Sequence, residues 1–182
     1  KFVILPGPVG LIGRPEFKQG YIHGLAMPAC VIRLQLAAGV EAALDKSTSI
    51  LHALLGEPDI RVDDEDCAFS RTAKKIAYWC LELQSRCGLV VRRDYRVGKV
   101  ALPDDGAASI SLTLPYRFAE PTVAALLLVI NLINRSAERK LSNIEIDTLV
   151  SPSRKLIAKY RERGQNVPDM LQAACAMGIP FH

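Results

Sequence analysis

The sequence predicts an α+β domain in which an antiparallel sheet with a β-hairpin packs against a buried central helix and an amphipathic helix, and further helices lie peripherally towards the C-terminal end. Three observations predict it. After Pro121 no charge appears until Arg135, and the apolar residues between them leave no polar face, so a helix over about 120–136 has to be covered on every side. Phe69, Ala73, Ile76, Cys80, Leu83 and Cys87 recur at three- and four-residue steps, which is one stripe of a second helix. Residues 89–116 read as two strands on either side of Pro103, Asp104, Asp105 and Gly106, a tight-turn composition. The central apolar run is shorter than the roughly 20 residues that cross a bilayer, and Asn131 and Asn134 stand near its end. It is therefore a core helix, and no membrane partner is expected.

Taken in order, 2–5 is a short apolar strand leading into the loop P-G-P-V-G-L-I-G. Gly7, Gly10 and Gly13 lack the G-x-G-x-x-G spacing and no lysine-hydroxyl pair follows, so they mark a backbone turn and no phosphate loop. The stretch 15–28 is irregular, with Tyr21 and His23 as its chemically distinctive side chains. Residues 29–36 form a strand with Arg33 and Gln35 on the wetter face. The hydroxyls of Ser47, Thr48 and Ser49 mark the start of a helix over 47–56. The acidic run R-V-D-D-E-D lacks the glycine and spaced acceptors of a cation loop and reads as a solvated linker before the amphipathic helix. That helix ends at Gly88. Glu120 and Pro121 open the central helix. Ser142 and Glu145 form a capping-box pattern for a helix reaching Arg163, Gly164 stops it, and a last helix covers about 166–177. Residues 1–140 are expected to be the α+β domain and 141–182 a helical segment.

A chain of 182 residues buries a core without metal or disulfide staples. The net charge of +4 and isoelectric point near 8.9 come from interleaved acidic and basic residues, a balance that favours an anionic or zwitterionic partner only weakly. Five cysteines without a C-x-x-C pair point to a reducing cytoplasm, and Cys80 and Cys87 are packing residues. His23, His52 and His182 are too scattered to suggest a metal site. No nucleophile-base pair, metal cluster or phosphate loop stands out, so no catalytic residue, metal ligand or cofactor of this chain is expected.

Several segments share a resemblance. The L-E-L-Q at 81–84, the strand ending in an aromatic at Tyr116 before a long helix, the V-I-R-L-Q-L around Arg33, the glycine-proline loop and the tail R-G-Q-N-V-P-D-M-L-Q-A-A-C-A-M-G-I-P-F together resemble the N-terminal domain of cyanophycin synthetase over most of the chain. The resemblance implies a multi-domain ATP-dependent amide ligase that builds a poly-aspartate backbone carrying arginine, with ATP-grasp and Mur-ligase-like modules, ATP and magnesium as cofactors of the parent enzyme, and a homo-oligomeric assembly. These 182 residues contain neither module. They are therefore expected to catalyse nothing by themselves and to act as a scaffold that holds the growing arginine-aspartate polymer. The chain departs from its relatives at Ala77 and Tyr78, followed by Trp79, where they usually place a Glu-His pair ahead of L-E-L-Q.

A receptor for such a polymer offers both signs of charge on one surface. The first arm of the hairpin carries the densest basic cluster, Arg92, Arg93, Arg96 and Lys99, around Asp94. Strand alternation puts Arg92, Asp94 and Arg96 on one face and Arg93, Tyr95 and Val97 on the other. With an exposed Glu82, the candidate polymer-binding residues are Arg92, Asp94, Arg96, Lys99 and Glu82. The alternative is a stand-alone nucleic-acid- or anion-binding module using the same hairpin with Tyr95 as a stacking platform. Sparse aromatics and interleaved acidic residues argue against nucleic acid.

Overall fold

The computed structural model describes residues 4–19, 28–60, 66–102, 107–161 and 166–179. They form the expected α+β architecture: β1 (Val9–Leu11), β2 (Glu16–Lys18), β3 (Ala29–Leu36), α1 (Val40–Leu55), α2 (Ala68–Arg86), β4 (Arg96–Ala101), β5 (Ala108–Pro115), α3 (Ala119–Glu138), α4 (Asn143–Ala158) and α5 (Asn166–Ala176). All strand pairs are antiparallel. β3 and β5 pair along their whole length at the centre, β4 forms one edge beside β5, and β1 and β2 share the other edge at opposite ends of β3.

The register explains which face is buried. Ile32 lies opposite Leu112 and Leu34 opposite Ile110, and all four are buried on the helix side. Arg33 and Gln35 face Ser111 and Ser109 on the open side. Each fully buried Leu or Ile contributes about 1.5–3 kcal/mol. α3 is contacted by α1, α2, α4 and β1, which leaves Leu126, Val129, Ile130 and Ile133 without exposed surface.

The N-terminal segment departs from the expectation. Phe2 and Val3 lie outside the described residues, Ile4 and Leu5 are not in a strand, and β1 forms within the glycine loop itself. What holds this segment is α3. Asn131 Oδ1 accepts from the Leu5 amide at 2.8 Å; Asn134 Oδ1 accepts from the Val9 amide at 2.9 Å, and its Nδ2 donates to the carbonyls of Leu5 and Val9, both at 2.8 Å. Gly7 is required by this contact, because a Cβ there would come within 2.5 Å of Asn134 Cβ. Gly13, at φ 77°, makes the turn that separates β1 from β2. β2 falls in the stretch expected to be irregular, whereas Tyr21 and His23 lie outside the described residues.

α1 starts at Val40 and not at Ser47, entered through Gly39 in the left-handed conformation. The hydroxyls of Ser47 and Thr48 do not cap; both donate to the Leu44 carbonyl at 2.8 Å, as hydroxyls inside helices do. Most of the acidic run (61–65) lies outside the described residues, and Asp66 pairs with Lys74 at 2.5 Å. The turn at 103–106 is likewise outside them, but the hairpin it joins is present, with Ala101 opposite Ser109. Ser142 and Glu145 form the capping box, whose Ser142 amide, with the guanidinium of Arg139, holds the Glu145 carboxyl down at about 2. α4 stops at Ala158 rather than Arg163, since Lys159, Tyr160 and Arg161 bond to carbonyls three residues back and tighten the last turn. Arg163 and Gly164 lie outside the described residues.

The Asn134 clamp makes a quantitative expectation. Asn134→Ala strips three backbone groups, the buried N–H and C=O of Val9 and the half-buried Leu5 carbonyl, of their partner and is expected to cost on the order of 3 kcal/mol, seen as a lower urea midpoint at an unchanged slope. A loss of a few tenths of a kcal/mol would show that water replaces the amide without penalty.

Candidate functional site

The region that the sequence singles out begins where α2 ends. Gly88, at φ 88°, turns the chain out of the helix, and the amide of Leu89 donates to the Gln84 carbonyl at 3.1 Å. Leu89 and Val91 are buried, which pulls this segment against the core. Residues 91–95 consequently lie outside the sheet, and β4 begins only at Arg96. The alternation expected from Arg92 to Arg96 therefore does not hold. Arg92 and Asp94 still meet, through an ion pair of Nε and Oδ1 at 3.0 Å. Arg96 stands elsewhere, opposite Thr113 on the open sheet face, and Lys99 is exposed where β4 is irregular. Gly98 makes that irregularity possible, because a Cβ there would collide with Ser111 Oγ.

Glu82 is not the exposed residue that the sequence suggests; it is 8% exposed. Its Oε1 accepts from Arg86 Nε at 2.8 Å and its Oε2 from Arg93 Nη2 at 2.6 Å. The turn of α2 that carries it faces the segment after the helix, so the carboxylate is drawn inward between two guanidiniums. The rest of L-E-L-Q is also structural. Leu81 and Leu83 are core residues, and Gln84, buried, donates to the Cys80 carbonyl at 3.2 Å and lies 3.2 Å from Thr122 Oγ1 at the start of α3. The turn ahead of it is core as well: Ala77 and Trp79 have no exposed surface, and Trp79 Nε1 donates to the Gly56 carbonyl at 3.3 Å.

Between the segment 88–94 and α5 lies a cavity of about 530 Å³. Arg92 and Asp94 form one wall and Gln172 and Cys175 the other. The Arg92 side chain is only 18% exposed, and its Nη1 is buried without a hydrogen-bond partner among the described residues. Asp94, 36% exposed, keeps acceptor capacity beyond its bond to Arg92. Burial pushes the Cys175 thiol up, Arg92 and Arg117 pull it down, and Asp94 raises it; the net shift is upward, so it stands as a thiol. A guanidinium with an unused donor beside a carboxylate with an unused acceptor matches a ligand that presents the opposite pair. No group of three or more His, Cys, Asp or Glu side chains suited to a metal occurs among the described residues, and no helix among them is long and apolar enough to cross a membrane.

Of the sequence-predicted residues, the structure thus unites Arg92 and Asp94, turns Glu82 inward, and separates Arg96 and Lys99 from both. Gln172 and Cys175 are additions that no local pattern signals, because α5 reaches the cavity from a distant part of the chain. No family model and no curated protein matches the chain.

The inward position of Glu82 predicts a stability effect. Glu82→Ala is expected to cost roughly 1–2 kcal/mol, below the usual figure for a broken buried pair because the side chains of Arg86 and Arg93 reach water. Thermal unfolding of the variant checks this, and an unchanged midpoint would contradict a structural role.

Proposed function

We propose that the chain is the non-catalytic N-terminal domain of an ATP-dependent amide ligase similar to cyanophycin synthetase, and that it holds the growing arginine-aspartate polymer. Its setting is then a reducing cytoplasm, in a homo-oligomeric enzyme whose ATP-grasp and Mur-ligase-like modules bind ATP and magnesium. The resemblance of 81–84, 31–36 and the C-terminal segment supports the family. The observation that carries the binding role is the Arg92–Asp94 pair on the cavity wall, with Arg92 Nη1 unsatisfied. Each repeat of the polymer presents a carboxylate and a guanidinium. The carboxylate accepts from Arg92 and the guanidinium donates to Asp94, an exchange of like for like that leaves no charge unpaired. One such contact is weak, and repetition along the polymer gives the hold.

A second reading has its own observation. Arg33 and Arg96 flank β5 on the open sheet face, and neither makes an ion pair with a described residue; nor does Lys99 on the edge strand. That face suits a plain polyanion, including nucleic acid, better than a zwitterion.

Titrating the protein with an arginine-bearing polyaspartate and with bare polyaspartate separates the two. Arg92→Met and Asp94→Asn are each expected to weaken binding of the arginine-bearing polymer roughly tenfold while leaving stability unchanged or higher, since Arg92→Met removes an unpaired buried donor. Affinities equal to wild type at low salt would contradict the polymer reading, and a selective loss of polyaspartate binding in Arg33→Gln with Arg96→Gln would establish the second.

A further inference from the structure

Two buried side-chain polar atoms lack a hydrogen-bond partner among the described residues: Arg92 Nη1 and the hydroxyl of Ser136. The residues that carry them, Arg92 and Ser136, each belong to the lining of one of two sizeable cavities, and the cavities share no residue. The second, of about 390 Å³, opens between α1 and the α3–α4 junction. Ser136 is 4% exposed near the end of α3. All the described threonine hydroxyls inside helices of this chain donate to a carbonyl one turn back, as Thr72 does to Ala68 at 2.9 Å, Thr122 to Phe118 at 3.0 Å and Thr148 to Ile144 at 2.7 Å, and the buried Ser47 donates to Leu44. Ser136 makes no such bond, and a buried hydroxyl left unpaired costs stability unless something else satisfies it.

The charge around it has one sign. Lys46, Arg139 and Lys140 line the cavity together with the hydroxyls of Ser49 and Ser136, and no carboxylate is in the lining. Lys46 donates from Nζ to the Ala137 carbonyl at 3.2 Å, which sets its ammonium beside Ser136 with further donors unused. Arg139 is engaged by Glu145, whereas Lys140 is exposed and makes no ion pair with a described residue. Ile50 and Leu141 supply an apolar surface in the same lining.

We propose that this cavity is a binding site for a small organic anion, a phosphate or carboxylate group on an apolar body. The oxyanion accepts from Lys46, Lys140 and the Ser136 hydroxyl, and the body packs on Ile50 and Leu141. The proposal is independent of the polymer reading.

Titrations followed by backbone amide chemical shifts, with phenyl phosphate, benzoate, inorganic phosphate and neutral benzyl alcohol as probes, test it. Expected is saturable binding of phenyl phosphate or benzoate at millimolar concentration or below, with shifts at Ser49, Ser136 and Leu141, about tenfold tighter than inorganic phosphate. The stronger of the two aromatic anions identifies the oxyanion. Ser136→Ala is expected to weaken binding about five- to tenfold while leaving the urea midpoint unchanged or raised, and Lys46→Gln with Lys140→Gln to abolish saturation. Absence of saturable binding by either aromatic anion, or equal binding of benzyl alcohol, overturns the proposal. So does a lowered urea midpoint in Ser136→Ala, which would mean that the hydroxyl serves the fold.

Discussion

Three hydrogen bonds from Asn134 fix the N-terminal segment on α3, and they are possible only because this helix is enclosed. Leu126, Val129, Ile130 and Ile133 leave it no wet face, so α1, α2, α4 and the sheet edge each cover one side. A purely apolar surface would let those neighbours slide. Two of the polar groups that α3 carries inside meet those neighbours: the Thr122 hydroxyl lies 3.2 Å from Gln84 Oε1 of α2, and Asn134 bonds the backbone at Leu5 and Val9. Buried polar groups of this kind are costly when unmatched and therefore specify one arrangement.

The candidate sites inherit their geometry from this arrangement. Because Gln84 is tied to Thr122, the end of α2 is placed, Gly88 turns outward there, and the buried Leu89 and Val91 direct the following residues along the core rather than into the sheet. Arg92 and Asp94 are thus held on a wall opposite α5, while Glu82 balances Arg86 and Arg93 beneath them. The second cavity has the same origin at the other end of α3, where the helix runs out beside α1 and the chain turns into α4. In both places one buried polar atom has no hydrogen-bond partner among the described residues.

How much of this is legible in the sequence depends on whether the signal is local. The charge-free run after Pro121, the stripe from Phe69 to Cys87 and the box of Ser142 and Glu145 are periodic or short-range, and each appears where expected. β1 and β2 are three residues each and exist only as partners of β3, so no pattern of their own announces them. The early start of α1 is hidden because Ser47 and Thr48 look like caps, whereas Gly39 does the turning. Strand alternation misplaced Arg92 and Asp94 relative to Arg96 because burial of Val91 delays the strand, and the inward turn of Glu82 depends on a guanidinium contributed from beyond the helix.

The central claim is that α3 anchors the N-terminal loop as firmly as it anchors the core. Native-state hydrogen exchange measures this at the amides of Leu5 and Val9, which donate to Asn131 and Asn134. The account predicts that both exchange as slowly as the amides of Leu126 to Ile133, through the same global opening. Exchange at the rate of an exposed loop, with α3 still protected, would contradict it.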